Sequence, residues 1–213
     1  MSEFSKMNKN EKRSSRLLAL QFIYANEITS IDEKIFFDDI LNISSSINGF
    51  TQKNEILSNV DISSDMALSV LPDKFSNKYF KMRKELEQLE VEDIVNMIKS
   101  FQMKLDKYKK NIQAYAFELA QISISNKSDL DKEIISRSTN WDSSRITLMD
   151  KLILRLVISE IIFIKHVPPK VSIAEGIEIA KVMSTSDSSA FVNGILDTFY
   201  NDWSAKKIKI KVK

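Results

Sequence analysis

From Ile146 to Ile164 the chain reads ITLMDKLILRLVISEIIFI, and apolar residues occupy nearly every face a helix over this stretch would present. A helix apolar on most sides has to be surrounded by other protein. With Asp150, Lys151, Arg155 and Glu160 inside it, the stretch is too charged and too short to cross a bilayer, which takes about 18–20 apolar residues. The rest of the chain must therefore supply the elements that wrap it. Strands are a poor choice for that task. Only three Gly and three Pro occur in 213 residues, too few for the many tight turns of an all-β design. The expected class is all-α, with enough apolar residues (43%) for one sizeable core.

Candidate wrapping helices follow from 3- and 4-residue spacing. Leu17, Leu20, Tyr24 and Ile28 mark an amphipathic helix over 12–28 that opens on Lys12, Arg13 and Arg16, a basic first turn set against the helix dipole. IDEKIFFDDILNIS reads as a second helix, while 49–75 carries clusters of Ser, Asn and Gly and receives no assignment. Residues 76–110 hold nine basic and six acidic groups and read as one or two solvent-facing helices, followed by helices over 112–124 and DLDKEIISRS. Pro168-Pro169 ends the central helix. Ser172 to Glu175 has the spacing of a capping box, and residues 184–187 offer N-caps for a last helix through Phe191, Ile195 and Phe199.

Within that last helix lies FVNGIL, whose Asn193-Gly194 pair is also a hairpin signal. Its flanks show no alternation, so the helix reading is preferred. The mid-helix Gly194 costs about 1 kcal/mol against alanine, which points to a close neighbour, with the central helix the expected one.

Charge is unevenly distributed. Residues 1–16 carry +3 and the tail KKIKIKVK (206–213) carries +5, so the body is at −6 although the net charge is only +2. A polyanion is drawn to the ends of such a chain, although solvated termini are the commoner reading of a charge run. There is no Cys, which excludes disulfides, thiolate zinc sites and a cysteine nucleophile and agrees with a reducing, cytoplasmic setting. The single His166 makes neither a triad nor a metal site. No cofactor site, metal site or membrane span is read from these residues.

PPKVSIAEGIEIAK followed by STSDSSAFVNGILD resembles the closing signature of the NusB family of transcription antitermination factors. Upstream, NW, RI, LRL and the SE pair at 159–160 are similar to the family's central helix, and KRSSRLLALQFIYANE to its arginine-rich first helix. The resemblance covers 12–29 and about 112–202. It implies a single all-helical NusB-like domain over 1–213, built of two packed helical bundles, with an extra helical insertion at about 30–111 and a basic tail at 206–213. It also implies binding of the boxA element of ribosomal RNA leaders together with NusE, a small-subunit ribosomal protein, in a complex that rides with RNA polymerase during elongation.

Residue by residue, the resemblance puts Lys12, Arg13 and Arg16 where N-terminal basic residues meet RNA phosphates. Asp187, Ser188 and Phe191 fall at the start of the last helix, on the same RNA surface, and Asp150 falls where an acidic residue faces NusE. Guanidinium groups suit phosphate, and unpaired bases are read by stacking and hydrogen bonds. Phe191 is open between base stacking and a core role, and Asp187 between RNA contact and N-cap. The chain departs from the family pattern at Ser14 and Ser15 inside the basic run, at Ala190 in place of a long polar residue, and at Gly176 in place of alanine. Two alternatives stand beside this reading: a NusB-fold interaction protein without RNA binding, and a module related to the RNA-binding front ends of ribosomal RNA methyltransferases, which the missing Cys and glycine-rich loop disfavour.

Overall fold

The computed structural model describes residues 3–30, 36, 90–139, 141, 146–185, 187–208 and 210. After a 3₁₀ turn at Glu3–Lys6 come α1 (Lys9–Thr29), α2 (Val91–Ser125), α3 (Lys127–Arg137), α4 (Leu148–Phe163), α5 (Pro169–Met183) and α6 (Ser188–Ser204). No strand occurs among the described residues, and none of the described helices is long and apolar enough to cross a membrane. The fold is all-α, as expected. The second helix read over IDEKIFFDDILNIS lies outside the described residues apart from Phe36, which is buried and packs on Phe22 with ring centroids 5.0 Å apart.

α4 is the hub: it touches α1, α2, α3, α5 and α6. Leu152, Ile153, Leu154, Leu156, Val157, Ile158 and Ile161 are all buried along it. Each such side chain contributes roughly 1.5–3 kcal/mol relative to exposure, so the apolar run seen in the sequence organises the core. Lys151, Arg155 and Glu160 on it are each ion-paired. The Arg155 guanidinium donates from Nε and Nη2 to the two oxygens of Asp131 (2.6 and 2.8 Å) and from Nη1 to Glu27 (3.1 Å), which fastens α3 and the end of α1 to α4.

Several helix boundaries differ from the sequence expectation, for local reasons. α1 begins one turn early because Asn8 and Glu11 form a capping box: Glu11 N–H donates to Asn8 Oδ1 (3.0 Å) and Asn8 N–H to Glu11 Oε2 (2.8 Å). The first turn thus gains an acidic cap at Glu11, while Lys9 and Lys12 in the same turn remain set against the dipole. Residues 91–125 form one continuous helix, where two had been expected on either side of Asn111. α5 starts at Pro169, with proline at N1, so Pro168-Pro169 opens this helix and α4 has already ended at Phe163. Ser172 and Glu175 are buried inside α5 and do not form the expected capping box.

Gly194 does lie inside a helix, but the neighbour that explains it is Trp141, whose ring would be 3.3 Å from an added Cβ. The glycine that lets α4 approach is Gly176, where a Cβ would fall 2.4 Å from Val157 Cγ2. At the far end, α6 closes with Lys206 N–H donating to Trp203 O and Lys207 N–H to Asp202 O, a Schellman pattern with Lys206 at φ 56°. Beyond it, Ile208 and Ile210 pack on the core. A lysine in the left-handed region is strained where glycine is not. Lys206→Gly is expected to stabilise the protein by about 0.5–1 kcal/mol, seen as a higher urea midpoint at unchanged m.

Candidate nucleic-acid interface

Lys9, Arg13 and Arg16 share one face of α1, four and three residues apart. That face leans on α4 and α5, and the burial of the three side chains increases steadily along it. Arg16, expected at RNA phosphate, is instead a core group with 2% exposure: Nε lies 3.0 Å from both oxygens of Glu160, itself 1% exposed. The Tyr115 hydroxyl donates to the same carboxylate. Burial first, and then the charge of Glu160, push the Tyr115 pKa far up, so the phenol stays a donor. Reaching a phosphate would require Arg16 to abandon a buried carboxylate, and we assign it to the fold.

The open cations are Lys9, 80% exposed, and Arg13, 42% exposed. Both face Glu175 on α5 at 3.8 and 4.0 Å. Lys12 is half-buried beside His166, whose pKa is held below its ordinary value by burial and then by the Lys12 charge, so the imidazole is neutral at pH 7. Phe4, from the 3₁₀ turn, packs on Tyr115 and His166 with ring centroids 5.4 and 6.2 Å away. Lys6, Lys165 and Lys170 are exposed, two of them flanking the turn between α4 and α5. Lys9 escaped the sequence reading because the helix was started at Lys12. The Asn8 and Glu11 spacing was the signal that extends it.

At the other end of α5 the remaining expected residues gather. Asp187 is exposed at the N-cap of α6, though its side chain makes no capping bond to the helix. Ser188 is buried and donates to Ser184 Oγ (2.9 Å), which donates to Asp150 Oδ1 (2.7 Å); Thr185 N–H donates to Ser188 Oγ (3.1 Å). Asp150 also closes a capping box with Thr147, accepting from its N–H at 3.1 Å. Its carboxylate is thus buried and engaged at both oxygens, joining three helix ends. Phe191 is buried, which favours its core role, with the Trp141 ring edge-on to it at 5.1 Å and 79°. Trp141, 40% exposed, is the aromatic that this region shows to solvent. Glu175 and Ser184 are nine residues apart on α5, about 14 Å along its axis, so the basic rim and the start of α6 are two separate patches.

Among the described residues no group of His, Cys, Asp or Glu is arranged to hold a metal ion. The geometry offers cations, hydroxyls and an aromatic ring at a helix-lined surface.

Comparison with known proteins agrees with this architecture. The model of the NusB family matches residues 75–201. The match begins at residue 75, just ahead of the charged 76–110 stretch, so the long α2 belongs to the family region. Similar proteins include the Transcription antitermination protein NusB of Chloroherpeton thalassium (strain ATCC 35110 / GB-78), 44% identical over 94 residues that cover 44% of this chain and 44% of that protein. The protein of the same name from Desulfatibacillum aliphaticivorans is 37% identical over 91 residues, 43% of this chain and 64% of the relative. That of Methylacidiphilum infernorum (isolate V4) is 41% identical over 100 residues, 47% of this chain and 67% of the relative. The chain thus spans less than two thirds of the length of the first two. With the family match covering more than half of an all-helical chain built around one apolar helix, this protein belongs to the NusB family.

Proposed function

We propose that the protein is a cytoplasmic transcription antitermination factor, not an enzyme, that binds boxA-type single-stranded RNA of ribosomal RNA leaders together with the small-subunit ribosomal protein NusE, in a complex that accompanies the RNA polymerase elongation complex. The observation that carries the RNA half is the open basic rim of α1, Lys9, Lys12 and Arg13, on a NusB fold. Phosphates neutralised there release counterions and give affinity without sequence choice. Asp187 and Trp141 at the second patch add hydrogen bonding and stacking to unpaired bases. For the protein partner, the exposed Tyr24 and Ile28 on α1 offer an apolar surface, and Asp150 acts beneath the surface by holding three helix ends together. The same apolar surface is what the alternative of an interaction protein without RNA binding would use.

Lys9→Ala with Arg13→Ala is expected to weaken binding of a boxA-type RNA about tenfold or more at low salt and to reduce the salt slope by about 1.4, the value for two single-strand phosphate contacts. Fluorescence anisotropy across a salt series measures both. An unchanged affinity with the partner present would remove the RNA reading and leave the interaction protein. Arg16 has to stay intact in this test, because its loss acts through the fold.

A further inference from the structure

A glutamate on the rim of a surface helix ordinarily turns its carboxylate to water. Glu175 does the opposite: its side chain is 8% exposed, tucked between α5 and α1 beneath two cations that lie outside it. Its two contacts there are long, 3.8 Å to Lys9 Nζ and 4.0 Å to Arg13 Nε, and Oε2 accepts no hydrogen bond among the described residues. Contacts this loose hold the fold together weakly. They do set the electrostatic potential of the rim, because a charge shielded from water is poorly screened. One turn further along α5, the Glu178 carboxylate pairs with Lys181 at 2.6 Å. Its pKa is lowered by that hydrogen bond first, with smaller contributions from Arg13 and Lys9, which places it in the field of the same two cations.

We propose that Glu175 is a built-in counter-anion to the RNA-binding cations of α1, holding down the affinity of this rim for any single-stranded polyanion so that phosphate contacts alone do not retain RNA. The proposal rests on the RNA-binding reading above. A phosphate on the outer side of Arg13 would lie about 7 Å from the Glu175 carboxylate, close enough for repulsion worth a factor of about three to ten in affinity at an effective dielectric of roughly 35–70, between that of a protein surface and that of bulk water. Specific retention then depends on the second patch and on the protein partner. Sequence-independent binding, which competes with any specific site, is the component that Glu175 suppresses.

The test uses the full chain, fluorescence anisotropy, and two labelled single-stranded RNAs of equal length, one boxA-type and one scrambled. Glu175→Gln is expected to tighten both by a similar factor of about three to ten at low salt, a gain that shrinks as salt shortens the screening length. The gain should be largely lost in a background carrying Lys9→Ala and Arg13→Ala. A purely structural role for Glu175 predicts none of this salt dependence. If Glu175→Gln leaves affinity unchanged or lowers it while the Lys9 and Arg13 substitutions still weaken binding, the counter-anion is refuted and the RNA reading stands. If the Lys9 and Arg13 substitutions themselves change nothing, the RNA reading fails, and this proposal with it. Should Glu175→Gln fail to melt cooperatively, Glu178→Gln, at an exposed position, is expected to tighten binding by a smaller factor, and no change there overturns the proposal.

Discussion

Arg16→Ala is expected to destabilise the protein by about 3–5 kcal/mol, the cost of stranding one partner of a buried ion pair. The loss exceeds that of an ordinary surface arginine because Glu160, 1% exposed, would keep only the Tyr115 hydroxyl in place of a guanidinium and a phenol. For a domain of this size it corresponds to a fall in Tm of about 10 °C, measurable by circular dichroism. Glu160→Gln should be the milder change, since an amide of the same shape still accepts from Tyr115 and leaves Arg16 partly satisfied. Replacing the pair together, Arg16→Met with Glu160→Leu, is expected to recover much of the loss, because no charge is then left buried. If Arg16→Ala melts like the wild type, Arg16 is not a core group, and its expected place at RNA phosphate would return.

Gly176→Ala is expected to destabilise by about 1–3 kcal/mol, an overpacking cost, although alanine is the better helix former by about 1 kcal/mol. The added Cβ would fall 2.4 Å from Val157 Cγ2, and Val157 is buried on the hub helix with a stiff, β-branched side chain. Neither α4 nor α5 can retreat without opening the contact between them. Val157→Ala should rescue the variant, since removing Cγ2 makes the room that the new methyl needs. The double-mutant cycle in urea should therefore show a coupling that favours the pair of alanines. Additive losses would place the strain elsewhere.

The all-helical class, the central helix and the helical state of FVNGIL were legible in the sequence. Each rests on a periodic or compositional signal that many residues share, and such signals survive an error at any one position. Boundaries depend on single capping contacts, and those were misplaced where two candidates competed. Asn8 with Glu11 was overlooked in favour of the basic turn at Lys12. Ser172 with Glu175 matched the capping spacing but lay inside a helix already opened by Pro169.

Among the expected site residues, the structure separates side chains that the sequence alone treats alike. Arg13 and Arg16 are three residues apart and chemically identical, yet one is 42% exposed and the other 2%. Nothing local separates them. Arg16 is drawn inward because Glu160 and Tyr115, 144 and 99 positions further along the chain, arrive beneath it. Asp150 and Ser188 became part of the joint between three helix ends in the same way, and Trp141 was missed because its seat on Gly194 joins residues 53 positions apart in the chain.

Hydrophobic periodicity is a property of the chain, because it is summed over neighbours in sequence and determines which faces must be buried. It determined by itself that α4 would be enclosed, and the motifs around it carried the family. Only the tertiary structure decided which charged groups would be neutralised inside and which would remain on the rim. Desolvation and pairing depend on what lies within a few ångströms, and for Arg16, Arg13 and Glu175 those neighbours come from distant parts of the sequence.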